Sequence, residues 1–208
     1  MTVSMSWNPG TKYFDHLFQV HAVRIAPGEY HVTDMDIALV TTLGSCVSAC
    51  VFDPHARVGG MNHFLLPEPL DGTATGIPAT STTYGRPAME ALLGSLQETG
   101  ARRDRLCARI YGGGRIISGF SNHVGHDNVS FVRAYLATAG IQILSSSVEE
   151  NHPRRIYFFP RSGKVFLKNL PPIKPVGQQP EPSQARRGPA DSVRRAFLEL
   201  PPSVESPK

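Results

Sequence analysis

Cys46 stands in the run Leu43-Gly44-Ser45-Cys46-Val47, and His63 follows seventeen residues later in Gly59-Gly60-Met61-Asn62-His63-Phe64. A free thiol, with a pKa near ~8.5, becomes a competent nucleophile near neutral pH when a neighbouring imidazole takes its proton. The same imidazole can later hand that proton to a leaving amine. The preceding Leu43-Gly44-Ser45 suits a tight turn that exposes the sulfur, with Gly44 and Ser45 helping to aim backbone N–H groups at a developing oxyanion. Together these residue types predict acyl transfer at an amide or ester. The competing reading is a structural cysteine and an unrelated strand histidine, because free cysteine is among the most buried residue types.

Which reading holds depends on whether the two side chains share a face. Residues 46–52 and 58–66 are short, β-branched or apolar, and Asp53-Pro54-His55-Ala56 between them is turn chemistry, so the stretch reads as an antiparallel hairpin. A symmetric hairpin centred between Pro54 and His55 pairs Asp53 with Ala56, Val51 with Val58 and Cys46 with His63. Directly opposed residues have Cβ atoms about 4.5–5.5 Å apart. A one-residue slip, or a bulge at Gly59-Gly60, sends the histidine to the other face.

The surrounding elements follow from periodicity. Short strands are expected over 20–25, 30–33, 38–42, 106–111, 141–148, 154–161 and 165–170. A helix is expected over 87–99, with Pro87 near its start, Met89, Leu92, Leu93 and Leu96 as a core stripe, and Gly100 beyond its end. A second runs to Ala139, capped by Asp127 or Asn128, with Val129, Val132, Tyr135 and Leu136 on one face. Residues 68–83, rich in Pro, Gly and Thr, form a long loop placed to wall a cleft beside His63. Gly112-Gly113-Gly114 lacks the Lys-Ser/Thr of a phosphate loop and reads as a tight turn near the site. The expected fold is α/β, a layered sandwich with a mostly antiparallel mixed sheet and two main helices.

Composition narrows the function classes. The chain has 208 residues, 21 basic against 17 acidic, a pI near 9.1 and a mean hydropathy of −0.18. The basic excess is spread thinly, Arg102, Arg103 and Arg105 being its only tight cluster before the tail, which argues against nucleic acid as the main partner. No apolar run is long enough to insert in a membrane and no secretory signal opens the chain, so a cytoplasmic protein is expected. Three cysteines, Cys46, Cys50 and Cys107, fit reduced thiols. No metal or other cofactor is expected: the ligands of His123-Val124-Gly125-His126-Asp127 are incomplete, and Cys46, Cys50 and His63 lack a fourth donor. Residues 1–11 are expected to be a flexible N-terminus and 12–170 a single domain. The segment 171–208 holds nine of the 18 prolines; it is expected to be a disordered tail, within which 191–200 could fold as a short helix against a partner.

Several runs carry a resemblance. Thr41-Thr42-Leu43-Gly44-Ser45-Cys46-Val47, Asp53-Pro54, and Val58-Gly59-Gly60-Met61-Asn62-His63-Phe64-Leu65-Leu66-Pro67 closely resemble the chemoreceptor glutamine deamidase family, CheD. Pro27-Gly28-Glu29-Tyr30, Tyr111-Gly112-Gly113, Val124-Gly125 to Asn128, and Gly163-Lys164-Val165 extend the likeness over roughly residues 12–170. The resemblance implies a layered α/β sandwich with Cys46 as nucleophile, His63 as acid/base and a threonine completing the site. Thr41 and Thr42 both compete for that last role, with Thr41 preferred; Thr42 and Asn62 are expected at the substrate rim. The implied activity is hydrolysis of glutamine side-chain amides, and possible hydrolysis of glutamyl methyl esters, on methyl-accepting chemotaxis receptors. The implied alternative is a non-catalytic adaptor that binds chemoreceptors or a CheC-type phosphatase. Where such sequences often carry a Gly-Gly and a Gly-Arg pair, residues 149–155 read Glu-Glu-Asn-His-Pro-Arg-Arg, in which only Arg155 matches. A different local turn and substrate rim are expected there.

Overall fold

The computed structural model describes residues 11–68, 77–115 and 123–171 and the backbone of 198–199. Among the described residues, eleven strands form two sheets. The first runs β1 (Thr11–Asp15), β2 (Val20–Arg24), β4 (Ala38–Leu43), β9 (Arg154–Phe159), β10 (Lys164–Asn169) and β11 (Leu198–Glu199). The second runs β3 (Tyr30–Thr33), β6 (Val58–Asn62), β5 (Val47–Asp53), β7 (Cys107–Gly112) and β8 (Gln142–Val148). Among the described strands, only β2 with β4 and β7 with β8 pair in parallel. The α/β sandwich with two helices and mostly antiparallel pairing is therefore present, with its strands divided between two sheets.

Each layer is legible from side-chain alternation. Both helices, α1 (Gly85–Glu98) and α2 (His123–Thr138), pack on the second sheet. Their stripes, Met89, Leu92, Leu93 and Leu96 from α1 and Val129, Val132 and Leu136 from α2, meet Val47, Ala49 and Val51 of β5 and Ala108 and Ile110 of β7. The alternate residues of those strands, Cys50, Phe52 and Tyr111, turn to the space between the sheets, where Leu39, Leu43, Ile156 and Phe158 oppose them. Strands buried on both faces read as continuous apolar runs, which is why β5 is buried at every position. Close approach of α1 explains Gly60: a Cβ there would lie 2.7 Å from Leu92 Cδ1.

Three boundaries depart from expectation. β1 begins at Thr11, inside the segment expected to be flexible, while residues 1–10 lie outside the described residues. The second helix starts at His123, so Asn128 sits in its second turn and is not its cap. Leu198 and Glu199 form a short strand paired with Leu167 and Phe166, in place of part of the helix considered for the tail. The remainder of 172–208 lies outside the described residues.

Candidate active site

The expected hairpin is present with a longer turn. Its register is Asp53↔Val58, Phe52↔Gly59, Val51↔Gly60 and Cys50↔Met61, two residues away from the symmetric arrangement that opposed Cys46 to His63. The cause lies in Asp53, whose Oδ1 accepts from His55 N (2.8 Å) and Ala56 N (3.0 Å), while Arg57 adopts φ 57° and donates its N–H to Asp53 O. The turn thus takes four residues, 54–57. A shift of two preserves parity. Glycines 59 and 60 stay in register with no bulge, and Val47 and Phe64 exchange both backbone bonds at 3.1 Å. Continued through that bridge, the register sets His63 opposite Ser48, with Cys46 one diagonal away on the same face, a separation of about 7–8 Å between Cα atoms.

Thr41 meets His63 from the other sheet. Its hydroxyl donates to the Ile25 carbonyl at 2.8 Å and lies 2.8 Å from His63 Nδ1. A threonine hydroxyl has one proton. With that proton given to Ile25, the Thr41–His63 bond requires Nδ1 to carry hydrogen and donate. The lone pair is then on Nε2, which is buried and has no hydrogen-bond partner among the described residues. The His63 backbone is fixed as well, its N–H donating to Glu29 O and its carbonyl accepting from Gly28 N. Burial depresses the imidazole to about pKa 4 against an opposing contribution from the Ile25 carbonyl, so it is neutral at pH 7.

Residues 44–46 carry the chain from β4 in the first sheet to β5 in the second. Every carbonyl of this crossover is tied down. Gly44 O accepts from Gly114 N (2.7 Å), Cys46 O from Gly113 N (2.8 Å), and Ser45 O from Asn128 Nδ2 (3.2 Å), which also reaches Leu65 O (2.8 Å). Gly112, at φ 107°, presses so close that a Cβ would lie 2.1 Å from Cys46 O. The triglycine turn expected near the site is the floor under the Cys46 backbone. Among the described residues, neither Ser45 N nor Cys46 N donates to another residue. Cys46 is half-buried, and burial raises its thiol above the ordinary value, partly offset by its own backbone N–H. Cys50 is fully buried and displaced further in the same direction.

Other expected residues separate. Thr42 is exposed on the outer face of its sheet and accepts from Arg155 Nε at 3.2 Å, so of the two threonines only Thr41 faces His63. Asn62 is fully buried, not at a rim: its Oδ1 accepts from Ala49 N (2.9 Å) and its Nδ2 reaches Met89 Sδ (3.3 Å) on the helix side. The alternation of β6 alone puts Asn62 and His63 on opposite faces. Asn128 and Ile25 went unnamed as site residues; the first reads as a cap, and a backbone carbonyl leaves no sequence signal. The described end of the 68–83 loop does border the site, with Thr83 O accepting from Leu65 N and Thr82 donating to Gly28 O.

Fold and site together define an α/β sandwich with a thiol, an imidazole and a hydroxyl gathered where the chain crosses between sheets. The model of the CheD family, described as chemotactic sensory transduction, matches residues 65–169. Over 159 residues the chain is 46% identical to the probable chemoreceptor glutamine deamidase CheD of Methylobacillus flagellatus and 47% identical to that of Janthinobacterium sp., covering 76% of this chain and 78% of each relative. A CheD 1 protein of Albidiferax ferrireducens, named in the same words, is 42% identical over 195 residues, or 91% of this chain and 79% of that one. A solved Neisseria meningitidis structure of the DUF152 family superposes with a TM-score of 0.35 at 12% identity, covering 64% and 59% of the two chains, a likeness too slight to bear on function. The chain belongs to the CheD family. Cys46, His63 and Thr41 precede the residues that the family model matches.

Proposed function

We propose that this protein hydrolyses glutamine side-chain amides on methyl-accepting chemoreceptors, in the cytoplasm, to glutamate and ammonia. Cys46 Sγ attacks the carboxamide carbon as its proton passes to His63 Nε2, and the oxyanion is received by the Ser45 and Cys46 amides. His63 returns the proton to the departing nitrogen, which leaves as ammonia and a thioester remains. Water then attacks the thioester, giving a proton to His63; the acyl–sulfur bond breaks, and the glutamate product and the Cys46 thiol are released. Thr41 holds the imidazole in the tautomer this requires. The same chemistry accommodates glutamyl methyl esters.

The observation that carries this reading is the Thr41–His63 bond, with the Thr41 proton committed to Ile25, because it leaves a neutral imidazole with a free basic nitrogen on the face of Cys46. The raised thiol and depressed imidazole mean that the resting pair is neutral and that proton transfer accompanies attack. That same desolvated thiol favours a second reading, a non-catalytic adaptor that binds chemoreceptors or a CheC-type phosphatase. Ammonia release from a purified chemoreceptor, with one-dalton mass gains on its glutamine peptides, separates them. Hydrolysis by the wild type and none by Cys46→Ala is expected. Receptor binding without ammonia release from either protein would support the adaptor.

A further inference from the structure

Outside the nucleophile and its partners, one charged side chain in the inter-sheet space is, among the described residues, tied directly to the loop after β8. Arg154, first residue of β9, pairs with Leu43 in the ladder immediately before the 44–46 crossover. Its side chain is fully buried, and burial lowers its pKa against the raising influence of Glu150. Such a burial is costly unless the cation is held by good partners. Nη1 donates to the Ser147 carbonyl, to Ser147 Oγ (3.0 Å) and to Glu150 Oε1 (3.3 Å), and Ser147 Oγ donates to the same carboxylate oxygen at 2.6 Å. Among the described residues, Nε and Nη2 have no partner. The side chain thus directs its contacts to the end of β8, at Ser147, and to Glu150 in the loop that follows it.

That loop holds the floor of the candidate site. Glu149, at φ 62°, donates its N–H to Gly112 O (3.0 Å), and Glu150 O accepts from Arg115 N (2.9 Å). These bonds bracket Gly113 and Gly114, the two residues whose amides fix Cys46 O and Gly44 O. A second tie runs sideways, from Glu149 Oε1 to His126 Nδ1 at 2.5 Å, in the helix that carries Asn128 to Ser45 O. The continuous path is Arg154 to Ser147 and Glu150, to the backbone of 112–115, to the carbonyls of 44–46.

We infer that Arg154 is a positioning residue for the nucleophile loop, acting through the β8–β9 loop and the triglycine turn to set the direction of the Ser45 and Cys46 amides. The inference rests on Cys46 being the nucleophile. Misplacement of a reacting group by about 1 Å costs up to about a hundredfold in rate. Arg154→Gln is expected to lower kcat for ammonia release from a purified chemoreceptor by between about ten- and a hundredfold with KM within about twofold. Arg154→Lys, which keeps one charged donor, is expected to recover part of the loss. The amide resonances of Ser45, Cys46, Gly113 and Gly114 should shift in Arg154→Gln while those of the turn at the far end of β5 stay fixed. Glu150→Gln, at a half-exposed position, supplies the same test if Arg154→Gln does not fold: the same four amides should move, with a smaller loss of kcat. A folded variant whose kcat and four amides match the wild type would overturn the inference. Should the wild type release no ammonia, the proposed activity fails while the amide shifts still decide whether Arg154 positions the loop.

Discussion

At one end of β5 the chain turns with a side chain of its own; at the other it turns because distant elements hold it. The 53–57 turn is organised by Asp53, whose carboxylate takes His55 N and Ala56 N locally and Arg102 N (2.9 Å) from the connection after α1. Burial pushes that carboxyl up, but the three backbone donors more than offset it and hold it below the usual carboxylate range. The 44–46 crossover has no such side chain of its own. Its carbonyls are satisfied by Gly113, Gly114 and Asn128, which lie far along the sequence. The local turn commits the N–H groups of His55, Ala56 and Arg57, whereas in the crossover, among the described residues, Ser45 and Cys46 donate to no other residue. The difference predicts that damage to the first turn is read in stability and damage to the second in rate.

The sharpest way to break this comparison is at the imidazole. Thr41→Val removes the acceptor for Nδ1–H with little change in shape. It is expected to lower kcat by between about ten- and a thousandfold, comparable to loss of general-base action, with far-UV signal retained. Measured ammonia release near the wild-type rate would detach Thr41 from catalysis. Asn128→Ala comes next. It leaves the Ser45 and Leu65 carbonyls without their donor, and a loss of about 1–3 kcal/mol in stability should accompany a kcat decrease of about tenfold.

Acid titration sharpens the same contrast. His63 has a folded pKa near 4 against an ordinary 6.5, and His31 is depressed in the same direction by burial, with Lys12 adding to it. Between those two pH values the unfolded chain takes up a proton that folded His63 refuses, so stability falls as pH falls through the window. The His63 contribution is on the order of 3 kcal/mol and should vanish from urea-denaturation curves of His63→Gln. The acid limb of kcat/KM should correspondingly lie below pH 6.5, toward 4. The smallest expected effect on activity comes from the far turn. Asp53→Ala should cost about 2–4 kcal/mol in a thermal or urea melt by leaving three backbone donors unpaired, yet change kcat per folded molecule by less than about twofold.

The same contrast explains what could be read from the sequence. Met89, Leu92 and Leu96 announce α1, and Asp53-Pro54 announces a turn, because these signals are local. An even change in register does not alter parity, so Cys46 and His63 keep one face under either turn length, whereas the length itself has no local signature: nothing in Pro54-His55-Ala56 signals that Arg57 adopts φ 57°. Asn128 was hidden because an Asn near a helix start reads as a cap until the true start is known. Arg155, the arginine singled out by resemblance, is exposed, and the buried one is its neighbour Arg154; two adjacent residues of one type differ only in which face of β9 they occupy. Division of the strands between two sheets is a long-range choice with no local signature.

Thr41 lies in β4 of one sheet and His63 directly follows β6 of the other, and a single 2.8 Å bond joins them across the greasy layer between. A slide of one sheet over the other by a fraction of a methyl group would part that bond while leaving both ladders whole. On the proposed reading the imidazole is thus a strain gauge set into the lamination, and gentle loosening of the interior is expected to silence it before any strand comes undone.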